Sequence, residues 1–252
     1  MIRYPLDVIK VRLQSGTSTQ GTLESLLSIR QAESRRMLYR GFWVGLTGSS
    51  LAWCQYFYLY GQLKQELKHT LHREKLSPIH HLSASFLTGC IVQASLCPLW
   101  VVKVNQQLGT YPSFATGFMS LLKSEGAKGL YRGLVPGLWS CLHGAVQFAV
   151  YEEIQYLSPT AQPSNLHTLL ATITSKISAT IVTSPIEVLK VRKRMVSTSA
   201  DQSLLSTARG LWSEGGLPIF YRGVAPALVR VLPAQCLMFL TFENVKAFLS
   251  NR

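Results

Sequence analysis

Three stretches of this chain set a proline and a lysine at fixed offsets: "PLDVIKVRLQ" from Pro5, "PLWVVKVNQQ" from Pro98 and "PIEVLKVRKR" from Pro185. Two residues after each proline stand Asp7, Trp100 and Glu187, and three residues further stand Lys10, Lys103 and Lys190. Carboxylates and ammonium groups in that pattern are equipped for ion pairing rather than for bond making. No nucleophile–base pair, metal-ligand cluster or phosphate-cradling loop accompanies them, and the histidines scatter, with His80–His81 and His69/His72 in or beside a loop. The five cysteines (Cys54, Cys90, Cys97, Cys141, Cys236) form no C-x-x-C pair and fall in apolar stretches, as small core residues do. The expectation is therefore a protein that is not an enzyme and holds neither a metal nor a cofactor.

A landmark recurring three times implies a repeated unit, and a second landmark keeps the same period. "ESRRMLYRG", "EGAKGLYRG" and "EGGLPIFYRG" place Tyr39, Tyr131 and Tyr221 about 90 residues apart, as the prolines are. The uncharged runs Gly41–Leu63, Leu82–Val102 and Gly133–Tyr151 each approach the roughly 20 residues a helix needs to cross a bilayer. Two further apolar stretches, near 167–186 and 225–242, carry one base each, Lys176 and Arg230. A charge inside a span belongs in a polar interior and carries function. The predicted architecture is an all-α membrane protein: three tandem two-helix repeats, at 1–66, 76–157 and 165–250, forming a six-helix bundle with pseudo-threefold symmetry.

Charge supports the membrane reading. Of the 252 residues 47% are apolar and only 15% are charged, where a soluble domain carries roughly 25%. Bases outnumber acids 25 to 12, giving a net charge of +13. Most of the bases fall in the connectors after the three prolines, so one membrane face is strongly basic and suits anionic lipid headgroups. The aromatics lie in the spans instead of among the bases, which argues against nucleic acid as a partner. Met1–Gln14 has no apolar run of the signal-peptide kind.

The pattern P-x-[D/E]-x-x-[K/R]-x-[K/R], followed after a connector by [D/E]-G-x-x-x-x-[aromatic]-[K/R]-G and found three times over essentially the whole chain, resembles the mitochondrial carrier family. The resemblance implies tilted spans around a water-filled cavity that closes alternately on the matrix and cytosolic sides. It further implies a monomer in the mitochondrial inner membrane (a peroxisomal membrane being the alternative), with anionic lipid such as cardiolipin around it. Proline would bend the odd-numbered helices so that their ends meet. At that meeting point a matrix gate is implied, with Asp7 pairing Lys103 and Glu187 pairing Lys10; the third pair would need an acid where Trp100 faces Lys190. Gln14 and Gln107 stand where family glutamines brace the pairs, and Arg194 replaces the third. A cytosolic gate is implied between Glu152 and Lys246 and between Glu243 and Lys64, with Gly61 opposite Gln155 unable to form a bridge.

By the same resemblance the cargo contacts are Gly48 and Ser49, Trp139 and Ser140, and Arg230 and Val231. Arg230 offers a planar cationic fork suited to phosphate or carboxylate. Lys176 adds a second cation, and His143 and Gln147 follow one and two turns along from Trp139 or Ser140. Trp100, with "SLAWCQYFYLYGQLK", "GLVPGLWSCLHGAVQFAVYE", "SKISATIVTSPIEVLKVR" and "APALVRVLPAQCLMFLTFENV", resembles the branch that carries folate, FAD, pyridine nucleotides and pyrimidine nucleotides. A flat aromatic small molecule with an anionic tail suits Trp53, Trp139 and the two cations, so FAD or folate is the expected substrate and an NAD or pyrimidine nucleotide carrier the alternative. Only Met1–Tyr4 precede Pro5, where relatives begin with an apolar helix. Helix 1 is therefore expected to be largely missing, and a truncated, nontransporting carrier-like membrane protein is a further alternative.

Overall fold

The computed structural model describes residues 4–16, 35–71, 77–157, 165–196, 203–231, 233 and 241, and most of these are helical. The first unit contributes α1 (Tyr4–Ser15), a 3₁₀ turn (Arg35–Tyr39) and α2 (Phe42–Leu71). The second contributes α3 (Pro78–Ser95), α4 (Cys97–Leu108), α5 (Phe114–Leu130), α6 (Leu134–Trp139) and α7 (Leu142–Leu157). The third contributes α8 (Asn165–Arg194), α9 (Leu204–Gly215), a 3₁₀ turn (Leu217–Tyr221) and α10 (224–231).

The three prolines act differently. Pro98 lies in the first turn of α4, immediately after a 63° bend at Leu96 that separates α3 from α4. A proline is tolerated there because the first turn's N–H groups have no helical partner in any case. Pro5 lies at the start of the described part of α1. Pro185 instead stays inside α8, which runs for 30 residues as a single helix. One missing donor bends a helix without necessarily ending it.

The ends of α1, α4 and α8 pack against one another in all three combinations. What seats them is the glycine of each aromatic-base-glycine motif. Gly41, Gly133 and Gly223 adopt φ of +72°, +67° and +85°, values an L side chain rarely takes. They also sit close against the neighbouring unit: a Cβ at each would stand 3.5 Å from the Lys103 carbonyl oxygen, 3.1 Å from that of Lys190 and 3.2 Å from that of Lys10. The first unit therefore presses on the second, the second on the third and the third on the first.

The connectors repeat too. Ser113 caps α5 by accepting from the Thr116 N–H at 3.3 Å, and Ser203 caps α9 by accepting from the Ser206 N–H at 3.1 Å. Both connector helices bury their inner face against the proline-motif helix of their own unit. Leu121 and Leu130 of α5 pack with Cys97, Val101 and Val102 of α4, and Leu211 of α9 packs with Val188 of α8.

Among the described residues α8, over Leu166–Arg194, is long and apolar enough to cross a membrane. Two bent pairs meet the same test, Ile79–Ser95 with Cys97–Leu108 and Phe114–Leu130 with Leu134–Leu157. The run Gly41–Leu63 does form a long helix, α2, yet α2 is not among them. Trp43, Trp53, Tyr56, Tyr58 and Tyr60 suit a membrane boundary better than its hydrocarbon centre, and Gly45, Thr47, Gly48, Ser49, Ser50 and Gln55 interleave with the apolar residues of α2. Trp43, Trp53, Phe57 and Tyr58 of α2 are all more than 60% exposed. The 225–242 stretch is described as a helix only over 224–231.

Leu121 is fully buried in the α4–α5 core. Leu121→Ala is expected to destabilise the protein by about 2–5 kcal/mol, measured as a lower Tm in detergent, whereas Met119→Ala on the exposed side of α5 leaves Tm nearly unchanged.

Candidate functional site

The converging helix ends carry two clusters of charge. In the first, Asp7 accepts from the Lys103 ammonium at 2.8 Å and from Gln107 Nε2 at 3.0 Å, and Arg230 Nη1 stands 3.4 Å from its other oxygen. In the second, Glu187 lies 3.4 Å from Lys10 and pairs with Lys190 on its own helix. The side chains of Asp7, Lys103, Lys10 and Lys190 keep only about 15% of their exposure and Glu187 keeps 26%. Trp100 occupies the third acidic position, and its ring centroid lies 5.5 Å from the Lys103 ammonium, within cation–π range. Gln107 also donates to the Tyr4 hydroxyl at 3.2 Å, which itself donates to the Arg40 carbonyl at 2.6 Å. The stem of Gln14 packs beside Gly223, and its Oε1 has no partner among the described residues.

A second layer lies one half-turn further along the same helices. Arg12 Nε donates to the Gln107 carbonyl at 3.4 Å, Asn105 Nδ2 to the Arg194 carbonyl at 2.7 Å and Arg192 Nε to the Gln14 carbonyl at 3.2 Å. Each donor is the seventh residue after its proline and each acceptor the ninth after the next unit's proline. Helix C-termini leave carbonyls without helical partners, and here each unit supplies the donor its neighbour needs.

Two cavities open on the first layer. One of about 360 Å³ is walled by Ser140, His143, Lys176, Arg230 and Val231 together with Lys10, Glu187 and Lys190. The other, of about 480 Å³, is walled by Ala52, Trp53, Tyr56, Gly89, Val92, Gln93, Trp100, Lys190 and Arg194. Gln93 and Lys190 belong to both walls. Lys176 donates to His143 Nε2 at 2.9 Å and to Gln147 Oε1 at 3.0 Å. Thr183 donates its own proton to the Ala179 carbonyl at 2.7 Å, so His143 Nδ1–H donates to Thr183 at 2.8 Å and the imidazole is held neutral. Gln147 borders a third cavity of about 240 Å³ with Gly144, Phe148 and Tyr151.

Other expected contacts fall elsewhere. A Cβ on Gly48 would meet the Leu99 side chain at 2.5 Å, so this glycine serves the close approach of α2 to α4. Ser49 donates to the Gly45 carbonyl of its own helix at 2.7 Å. Trp139 is 53% exposed and belongs to the wall of neither large cavity. Lys64 and Glu152 lie on α2 and α7, and their expected partners Glu243 and Lys246 lie outside the described residues. In that region Tyr60 Oη stands 2.8 Å from His81 Nδ1, joining α2 to α3.

The sequence reading missed Gln93, Thr183 and the link from Arg230 to Asp7. Thr183 lies two helical turns from Lys176, a spacing that was available. The Arg230 contact crosses from the third unit to the first and leaves no local signal.

The sequence pattern of a family described as mitochondrial carrier protein matches residues 1–71, 74–160 and 161–252. The chain is 31% identical to the chloroplastic folate transporter 1 of Arabidopsis thaliana, over 98% of this chain and 90% of the relative. It is 28% identical to a mitochondrial FAD carrier protein of Saccharomyces cerevisiae, over 98% and 91%. It is 33% identical to the chloroplastic nicotinamide adenine dinucleotide transporter 1 of Arabidopsis thaliana, over 97% and 86%.

Lys103→Glu places three carboxylates around one helix junction and is expected to lower Tm. Adding Asp7→Lys restores part of that loss, the recovery being incomplete because the new lysine faces Arg230. A double variant no more stable than Lys103→Glu alone refutes the pairing as an energetic contact.

Proposed function

This chain belongs to the mitochondrial carrier family of transporters, and from that premise we propose that it moves an anionic aromatic cofactor, FAD or folate, across the mitochondrial inner membrane by alternating access. The observation that carries the choice is the meeting of two unlike walls. Lys176, Arg230 and Lys190 supply cations on one side, Trp53, Tyr56 and Trp100 supply ring faces on the other, and the cavities share Gln93 and Lys190. Arg230 holds the anionic end of the cargo, Lys176 is positioned by His143 and Gln147 to assist, and Ser140 and Val231 complete the wall. The names of the folate and FAD relatives point to the same class of molecule. NAD is the second reading, favoured by the relative bearing that name.

The clusters at Asp7 and Glu187 form the matrix gate in this reading. These ion pairs are largely buried, where the cost of desolvating both charges offsets much of their attraction, and a gate of modest net strength is required. A ligand shifts an equilibrium only by its differential affinity for the two states, so a gate held by many kcal/mol could not be opened by cargo. The cytosolic gate draws on Lys64 and Glu152 with Glu243 and Lys246. The protein works as a monomer, its basic face against anionic lipid such as cardiolipin.

The chain, reconstituted into liposomes of mitochondrial lipid composition, is expected to take up labelled FAD or folate faster than NAD and far faster than citrate. Arg230→Ala lowers that uptake about tenfold, the loss of one charge-assisted contact, while the detergent-solubilised variant still unfolds cooperatively. Failure to take up any aromatic anion, or unchanged kinetics in Arg230→Ala, overturns the assignment.

A further inference from the structure

The cations of the gate are not all provided for. Asp7 is shared by Lys103 and Arg230, and Glu187 by Lys10 and Lys190. Arg194 is left without a carboxylate at ion-pair distance among the described residues, although it is only 6% exposed. Its Nε and Nη2 have no hydrogen-bond partner there; the Cys97 thiol lies beside it, and the Glu187 carboxylate, already taken by Lys10 and Lys190, acts on it only beyond ion-pair distance. Its place is fixed: Asn105 donates to its carbonyl at 2.7 Å, and its Cγ lies 3.1 Å from where a Cβ on Gly133 would be.

A buried guanidinium with idle donors is costly unless an anion reaches it. Arg194 borders the 480 Å³ cavity, where Lys190 stands with it and Trp53, Tyr56 and Trp100 supply ring faces. Gln93 adds a buried, unpartnered Nε2 to the same wall. The space has the volume, the cations and the aromatic surface for an anionic group attached to a flat ring. It lies beside Trp100, the position at which the other two units carry the gate's acid.

We propose that this cavity is an anion site in which Arg194 and Lys190 bind a phosphate or carboxylate of the cargo, and that the bound group serves as the third negative charge of the matrix gate. The inference rests on the carrier reading but not on its choice of cargo. The site joins α8, which carries Arg194 and Lys190, to the Trp100 wall of α4, so an anion bound there favours the closed gate and its departure weakens the seam.

The test uses the full chain in neutral detergent free of anionic lipid, with Tm as the readout and inorganic pyrophosphate, FAD, folate, NAD and cardiolipin as separate additions. Pyrophosphate is expected to raise Tm of the wild type saturably. Arg194→Gln, which installs the residue found at Gln14 and Gln107, binds pyrophosphate about tenfold more weakly, the loss of one charge-assisted contact. Trp100→Asp supplies the acid within the chain, so it raises Tm without ligand and abolishes the pyrophosphate shift; it keeps the proposal falsifiable if Arg194→Gln fails to fold. Equal pyrophosphate shifts in wild type and variants overturn the proposal, as does an Arg194-dependent shift produced by cardiolipin and not by pyrophosphate. If the pyrophosphate shift depends on Arg194 while FAD, folate and NAD do nothing, the site stands and the cargo assignment falls. If FAD or folate stabilises wild type and both variants alike, the cargo assignment stands and the site falls.

Discussion

Everything in this structure depends on bringing three helix ends to one axis without leaving their polar groups unsatisfied. A helix end exposes carbonyls, and an unpaired one within a membrane protein's interior costs free energy comparable to a lost hydrogen bond. The chain answers with contacts that run in a ring. Glycines at 41, 133 and 223 let each unit's backbone close on the next unit's lysine turn, and Arg12, Asn105 and Arg192 donate to carbonyls of the neighbouring unit. The ion pairs of Asp7 with Lys103 and of Glu187 with Lys10 follow the same circulation. Backbone closure, carbonyl satisfaction and charge pairing are three layers of one arrangement.

The ring is incomplete at the seam between the second and third units, where three of the motif positions depart from the repeat. Trp100 stands in for an acid, Asn105 for an arginine and Arg194 for a glutamine. The seam keeps a short hydrogen bond, Asn105 to the Arg194 carbonyl, so its backbone contact is intact while its charge pairing is absent. Glu187, deprived of a rival acid, takes Lys190 as well as Lys10. The junction is held by packing on three sides and by ion pairing on two.

Much of this was legible in the sequence because the repeat exposes it. A motif seen three times at one spacing identifies equivalent positions, and the resemblance to the carrier family implied the pairing of Asp7 with Lys103 across 96 residues. The aromatic-base-glycine motif was legible too, although its physical role, a left-handed backbone pressed on a neighbour's carbonyl, needs coordinates. Less could be read where single positions depend on helix rotation. Gly48 also lets α2 approach Leu99 closely, a packing role that small residues serve as readily as access. The unbroken course of α8 past Pro185 depends on its surroundings, which no local pattern encodes.

The contact of Arg230 with Asp7 links the cavity to the helix junction. Arg230 borders the 360 Å³ cavity while its Nη1 lies 3.4 Å from Asp7, and Glu187 belongs to the same wall. One guanidinium has a limited set of donors in a fixed plane. An anion that engages it from the cavity side competes with Asp7 for the same charge and weakens the hold of the third unit on the first. Lys103 then carries the Asp7 pairing with Gln107 alone to brace it. In the transport cycle proposed above, this coupling would need no distant relay, since the group assigned to the cargo is itself a member of the junction, and a two-state junction answers in proportion to the difference in contact between its closed and open forms.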